Sequence, residues 1–258
     1  MREGGCEMLR GFLCAALMAA SATSVGAQVW PPRLVGSFAA PTGSLDVAYE
    51  NRGLFVLVNA ASPAVCRFST SGSLLGSFSV PVPSGARGIT YDGSSLTTIY
   101  ISNRINGYIY KFTTAGSLTG SFRCPAGAPY GLGFTEIYNP HGRGLFAACR
   151  DAGYIARLDT TTGSLLSTFA GPAAAVITYD DFFAGVRSNT RLYWDYYGSW
   201  QILDTLPANV SGIAAGVMWP IDQTVYLFVL CANEYVYYYF GWTAVAPASL
   251  GRVKALFR

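Results

Sequence analysis

Few residues of this 258-residue chain combine the type and the spacing that chemistry needs. Asp46 and four arginines, Arg87, Arg104, Arg150 and Arg187, come first. A carboxylate can act as a base or hold a cation, and guanidinium forks grip carboxylate or phosphate at two points. Each has a plainer alternative. Asp46 could pair with a neighbouring arginine, and each arginine could cap loop carbonyls or pair locally, as Arg150 with Asp151. His141 is the single histidine and stands in Asn139-Pro-His-Gly-Arg143, the setting of a solvated turn residue. No Gly-x-Ser-x-Gly precedes a helix, so a Ser-His-Asp site has no support. The carboxylates do not converge as a glycosidase needs, and no set of acidic and amide ligands is seen together as a metal-dependent lactonase would require. No metal and no cofactor is expected.

The elements that must position these residues come from an internal repeat. Gly-Ser-Phe recurs at Gly36–Phe38, Gly76–Phe78 and Gly120–Phe122, with Ser-Thr-Phe at Ser167–Phe169, at spacings of 40, 44 and 47 residues. Gly72-Ser-Leu-Leu-Gly-Ser-Phe78 matches Gly116-Ser-Leu-Thr-Gly-Ser-Phe122 and Gly163-Ser-Leu-Leu-Ser-Thr-Phe169. Before each motif come three short apolar segments, as in Gly88–Tyr91, Ile99–Ser102 and Tyr108–Phe112. Four strands in such a period are the signature of a β-propeller blade. No segment carries a sustained helical apolar period. The reading is therefore all-β: a propeller of five four-stranded blades, six being the alternative. The N-terminal Leu34–Phe38 would supply the strand missing from the fifth copy, with Arg252–Phe257 competing for that role. Closing the ring with strands from both chain ends would remove an open edge.

Strand polarity then sorts the candidates. Connections from second to third strand, and from fourth to the next first strand, open on one face. That face collects Asp46, Arg87, Arg104, Arg123, Arg150 and Arg187, of which all but Arg123 are assigned to the ligand site, whereas Asp92, Glu136, Asp180 and Asp181 should open on the other. The mouth with the arginines would attract an anion. Tyr193, Trp194, Tyr196, Tyr197, Trp200, Tyr235 and Tyr237–Tyr239 alternate on strands and read as packing between blades rather than as a sugar platform. Cys66, Cys124, Cys149 and Cys231 permit two disulfides in an exported chain, or are simply small buried hydrophobes. Cys124 and Cys149 should lie on one face in adjacent blades, leaving Cys66 and Cys231 as the other candidate pair. No Cys-x-x-Cys supports a zinc site.

The run Ile99-Tyr-Ile-Ser-Asn-Arg104, through Tyr108-Ile-Tyr-Lys-Phe112 to Gly116–Phe122, resembles an NHL-type repeat, as does Gly88-Ile-Thr-Tyr-Asp92. The resemblance covers Leu34 to Phe240 in pattern. It departs at the turn Asn103–Asn106, where the family's Asp/Asn-x-x-Asn-x-Arg is scrambled, and in the fourth and fifth copies. It implies a propeller and leaves function open, since such propellers include lyases, lactonases, amidating enzymes and binding scaffolds.

Composition bounds the rest. Half the chain is hydrophobic (51%), only 12% is charged, and the net charge of +3 comes with just two lysines. Those values exclude a disordered chain and argue against a nucleic-acid binder. Arg10, the apolar run Gly11–Ala20 and the small residues Val25 and Ala27 read as a signal peptide over residues 1–27. Met8-Leu9-Arg10 would begin it more cleanly than Met1, given Glu3 and Glu7. The apolar run is about half the roughly 20 residues a membrane span needs. Residues 28–247 would be the propeller and 248–258 a terminal strand or tail. The expectation is a secreted, periplasmic or cell-surface monomer without an integral membrane segment. It would be a non-catalytic scaffold for a small anionic ligand or an extracellular protein. The alternatives are a lyase or hydrolase at the arginine-bearing mouth, and a cell-surface structural module.

Overall fold

The computed structural model describes residues 33–242, apart from 51–52, 59–62, 93–96, 136–140, 150, 173–175, 181–182, 187–188, 197–198 and 219–223. The signal peptide and the Arg252–Phe257 strand candidate lie outside the described residues. The chain starts with β1 (Arg33–Ala39) and then lays down its first blade as β2 (Ser44–Glu50), β3 (Gly53–Val58), β4 (Ala64–Ser69) and β5 (Leu74–Ser79). The second blade is β6 (Ala86–Asp92), β7 (Thr98–Asn103), β8 (Tyr108–Thr113) and β9 (Leu118–Arg123). The third is β10 (Leu132–Thr135), β11 (Gly144–Cys149), β12 (Tyr154–Leu158) and β13 (Leu165–Ala170). The fourth is β14 (Val176–Asp180), β15 (Phe183–Val186), β16 (Arg191–Tyr196) and β17 (Ser199–Thr205). The fifth is β18 (Val210–Met218), β19 (Thr224–Cys231) and β20 (Tyr235–Trp242). It is completed by β1, whose residues Arg33 to Ala39 run antiparallel to Phe240 to Tyr235. The protein is a five-bladed β-propeller, closed by its N-terminal strand.

Each blade is a meander, and the first strands form the inner ring: β2 meets β6, then β10, β14 and β18, and β18 returns to β2. A blade inside such a ring buries both faces, so its central strands need apolar residues at successive positions rather than alternate ones. β3 and β7 are buried at every position. The apolar residues fall into five clusters, one per seam. Phe55, Leu57 and Val65 meet Ile89, Ile99 and Phe112 between blades one and two. Tyr100 and Ile109 meet Leu132, Leu145 and Leu158 between two and three. Phe146 and Ile155 meet Val176 and Ala184 between three and four. Leu192 and Leu206 meet Ile213 and Leu227 between four and five. Val47, Leu54 and Phe68 meet Phe228 and Val236 at the closing seam. Five of the aromatics pack between blades as expected: Trp194, Tyr237 and Tyr239 lie at the seam of blades four and five, Tyr238 at the closing seam, and Trp200 between three and four, whereas Tyr235 is exposed.

The first and last residues of the repeated motif meet across these seams. Gly72, Gly116 and Gly163 open the outermost strands with φ of +87°, +87° and +74°. A Cβ at Gly116 would come within 2.5 Å of the Phe78 ring, one at Gly72 within 2.5 Å of Phe38, and one at Gly163 would overlap Phe122. Blades five, one and two thus each lay a motif phenylalanine under the turn glycine of the next blade. The leucines between them stay exposed, as at Leu74, Leu75, Leu165 and Leu166. Blade four lacks the glycine motif, and there Phe169 stacks flat on His141, with ring centroids 3.5 Å apart.

Gly116→Ala should therefore cost roughly 2–4 kcal/mol, from the positive φ and the clash with Phe78 together. Gly120→Ala, where a Cβ meets nothing within 4 Å, should stay within about 1 kcal/mol of wild type. Chemical denaturation of the two variants measures the contrast.

Candidate functional site

The inner ring is held by polar clasps set in apolar seams. Asp46, on β2, has no exposed surface. One carboxylate oxygen accepts the Val47 N–H at 2.9 Å and the other the Ile89 N–H of β6, also at 2.9 Å. The backbone N–H of Ile213, on β18, is a further donor. One side chain thereby joins the inner strands of blades five, one and two. Gly212 makes room for it, since a Cβ there would overlap Asp46. Burial pushes the Asp46 carboxyl well above the usual carboxylate range, opposed by these N–H donors and by the Arg87 guanidinium. The expectation that Asp46 is a ligand at an open mouth is corrected: its oxygens already serve backbone donors. Arg87 lies beside it, half-buried, with Nη1 3.5 Å from the Leu45 carbonyl oxygen.

The acidic residues assigned to the other face are corrected in the same way. Asp92 and Asp180 are buried, not a solvent-facing negative pole. Asp180 accepts the Ala215 N–H at 2.8 Å and clasps blade four to blade five. Glu136 and Asp181 lie outside the described residues. Between blades two and three the clasp is a hydroxyl: Ser102 accepts the Gly88 N–H and donates to the Tyr130 carbonyl, both at 2.8 Å. His141 is not a solvated turn residue either. Its Nε2 lies 2.9 Å from Oδ2 of the buried Asp195, linking blade three to blade four.

The connection from second to third strand in blade two meets the connection from blade two to blade three, as strand polarity requires. Together they line a cleft of about 520 Å³, formed by Arg104–Gly107 on one side and Arg123, Cys124, Pro125, Gly127 and Ala128 on the other. Its charged lining residues are Arg104 and Arg123, both exposed. Asn103 makes the first wall rigid. Its Oδ1 accepts the N–H groups of Ile105 and Asn106, and its Nδ2 donates to the carbonyls of Pro83 and Ser84. Cys124 N–H donates to the Gly107 carbonyl at 2.8 Å, tying one wall to the other. The Arg104 guanidinium sits 5.8 Å from the Tyr130 ring centroid. Of the five residues assigned to one ligand site, the structure places Arg104 at this cleft and Arg87 beside Asp46. Arg150 and Arg187 lie outside the described residues. Arg123, at the end of β9, shares the cleft with Arg104, on the face to which strand polarity assigns both.

A spacing signal was also passed over. Asn106, Asn189 and Asn233 each donate from Nδ2 to the hydroxyl of a tyrosine four residues on, Tyr110, Tyr193 and Tyr237. This Asn-x-x-x-Tyr bracket repeats at the turn into the third strand of blades two, four and five.

Cys66, Cys124, Cys149 and Cys231 are free thiols here. Cys124 and Cys149 are hydrogen-bonded to each other in the seam of blades two and three. The proposed Cys66–Cys231 pairing is corrected. Cys231 sits in the seam of blades four and five, while Cys66 packs at the closing seam, with blade five between them.

No family model and no curated protein matches the chain. Solved structures do, at the level of fold. A catalytically inactive virginiamycin B lyase from Staphylococcus aureus with quinupristin is 13% identical, with 76% of this chain and 69% of that one covered and a TM-score of 0.45. A streptogramin B lyase is 15% identical over 81% and 87% of the two chains, with a TM-score of 0.41. The WD40 β-propeller domain of Doa1 is 11% identical over 81% and 96%, with a TM-score of 0.46. The five-bladed architecture rests on the strand order itself, and a likeness at these levels adds nothing to it. Among the described residues no helix is long and apolar enough to cross a membrane, and no three metal-ligating side chains form a group.

Asp46→Asn should destabilise the ring by about 1–3 kcal/mol, because an amide nitrogen cannot accept the N–H groups that a carboxylate oxygen does. The pH dependence has a defined sign. A carboxyl raised by burial holds its proton in the native state above the roughly 3.9 of a free aspartate. Its contribution to stability is complete below that value and is lost as pH rises through the raised one. Urea midpoints measured from pH 4 to 8 should converge for wild type and variant as pH rises.

Proposed function

We propose that this chain is an exported, NHL-like propeller that works as a non-catalytic binding scaffold, taking a small carboxylate- or phosphate-bearing ligand at the cleft between blades two and three. The observation that carries the reading is the cleft's lining: two exposed guanidinium groups, Arg104 and Arg123, and no acidic side chain among its walls. Fixed backbone supports it, since the Asn103 bracket and the bond from Cys124 N–H to the Gly107 carbonyl hold both walls before any ligand arrives. A wall held in place spares the ordering cost of binding. Arg104 over the Tyr130 ring is similarly restrained. Asp46 and Asp180, both on inner-ring strands, accept backbone N–H groups, which suits a scaffold role better than general-base chemistry. The signal-peptide reading of residues 1–27 supports export.

Titration calorimetry with inorganic phosphate and citrate, against a neutral sugar, tests the reading. Wild type should bind the anions and not the sugar, more weakly as salt rises. Arg104→Ala and Arg123→Ala should each weaken anion binding about tenfold, the worth of a charge-assisted hydrogen bond, with melting temperatures unchanged without ligand. Equal binding by all three proteins, or none by wild type, would remove the site.

A further inference from the structure

Beneath the cleft lie two thiols that anion binding does not use. Cys124 contributes to the wall, follows β9 in blade two, and is only 3% exposed. Cys149 ends β11 in blade three and is 1% exposed. The two side chains hydrogen-bond to each other across the seam. The backbone on either side is held: Cys124 N–H by the Gly107 carbonyl, and the Cys149 carbonyl by the N–H groups of Ala152 and Gly153 at 3.0 and 2.9 Å. The thiols therefore lie together in one packed seam, where a sulfur–sulfur bond of roughly 2.05 Å would join the two blades. Cys66 and Cys231 have no such partner, since blade five lies between them.

We propose that Cys124 and Cys149 form a dithiol that closes into a disulfide, stapling blade two to blade three, by exchange with a low-molecular-weight disulfide bearing carboxylates that enters through the arginine cleft. The bond is independent of the anion-binding reading; the preference for an anionic reagent rests on it.

The two sulfurs have different roles. The contact with Cys149 holds the Cys124 thiol below its ordinary range, whereas the contact with Cys124 and burial hold Cys149 above its own; in the neutral pair the Cys149 S–H donates to the Ala147 carbonyl at 3.5 Å. A thiolate is the attacking species in exchange, and Cys124, which lines the cleft where Cys149 does not, is the one a reagent meets first. Its sulfur attacks one sulfur of R–S–S–R, the S–S bond of the reagent breaks, and the first R–S⁻ leaves and takes up the proton Cys124 gave. Cys149 then loses its proton and attacks the Cys124 sulfur, and the second R–S⁻ leaves and is protonated. In sum, two protein thiols and one reagent disulfide give one protein disulfide and two R–SH. The protein is oxidised by two electrons and the reagent reduced by two.

The test uses the full chain, reduced and freed of reductant, then exposed to oxidised glutathione (anionic) or to hydroxyethyl disulfide (neutral). Remaining thiols are capped with N-ethylmaleimide before peptide mapping. Both reagents should yield the Cys124–Cys149 link, reversible by dithiothreitol, with the melting temperature raised roughly 5–10 °C. Cys149→Ser should stop at a mixed disulfide on Cys124, and Cys124→Ser should leave Cys149 unmodified. No link with either reagent, or a link through Cys66 or Cys231, overturns the staple. Arg104→Ala with Arg123→Ala should slow the glutathione reaction at least fivefold more than that of the neutral reagent. Equal slowing of both, or of neither, overturns the anionic route while the mapped link decides the staple separately.

Discussion

A carboxylate with no exposed surface ties together the inner strands of three blades. Asp46 stands on β2 and accepts N–H groups from Val47, from Ile89 of β6 and from Ile213 of β18. A propeller depends on contacts of this kind because its blades share no hydrogen-bonded sheet: each four-stranded sheet is complete in itself. Hydrophobic contact between blades is non-directional, and would let one blade slide on its neighbour. A buried carboxylate does not allow this, since leaving its donors strands a polar group away from water. Ser102 and Asp180 repeat the device with other partners, and His141 with Asp195 serves the seam that neither reaches.

The clasps act near the channel and the motif glycines act at the rim. Phe38, Phe78 and Phe122 lie under Gly72, Gly116 and Gly163, so each outermost strand positions the next blade. Inner and outer registration together place the second-to-third turn of blade two against the connection leaving β9. The cleft and the thiol pair beneath it are products of that registration. Arg104 and Arg123 belong to one blade, but Cys124 and Cys149 meet only because blade three is held against it.

Ring closure has its own logic. β1 and β20 come from opposite ends of the propeller and pair over six positions, with a register shift between Leu34 and Gly36. Beyond them, Ala40 N–H donates to the Glu234 carbonyl and Gly43 N–H to the Glu234 carboxylate. Closure thus joins the start of the chain to the turn before β20, with Phe38 then placed for the first glycine.

The blades were legible in the sequence because the repeat is covalent and local. Each copy must bury two faces and turn at the same places, so Gly-Ser-Leu-Leu-Gly-Ser-Phe and its relatives reveal period, strand count and the strand borrowed from Leu34–Phe38. Which connections share a face followed from strand polarity alone, and so did the nearness of Cys124 to Cys149. Roles at the seams were not legible. Asp46 and Asp92 look alike as charges at strand ends, and nothing local says that both are buried, or that Asp46 meets backbone donors from residues 43 and 167 positions away. His141 in a Pro-Gly turn gave no sign of Asp195, which lies on another blade. Arg104 and Arg123 stand 19 positions apart, and only the turn of the chain through β8 and β9 brings them to one cleft. The Asn-x-x-x-Tyr bracket is the exception, being local enough to have been read from spacing. Blade architecture is written in near neighbours along the chain; whether a polar residue clasps a seam or faces a ligand depends on which blade lies opposite, and that is settled only when the ring closes.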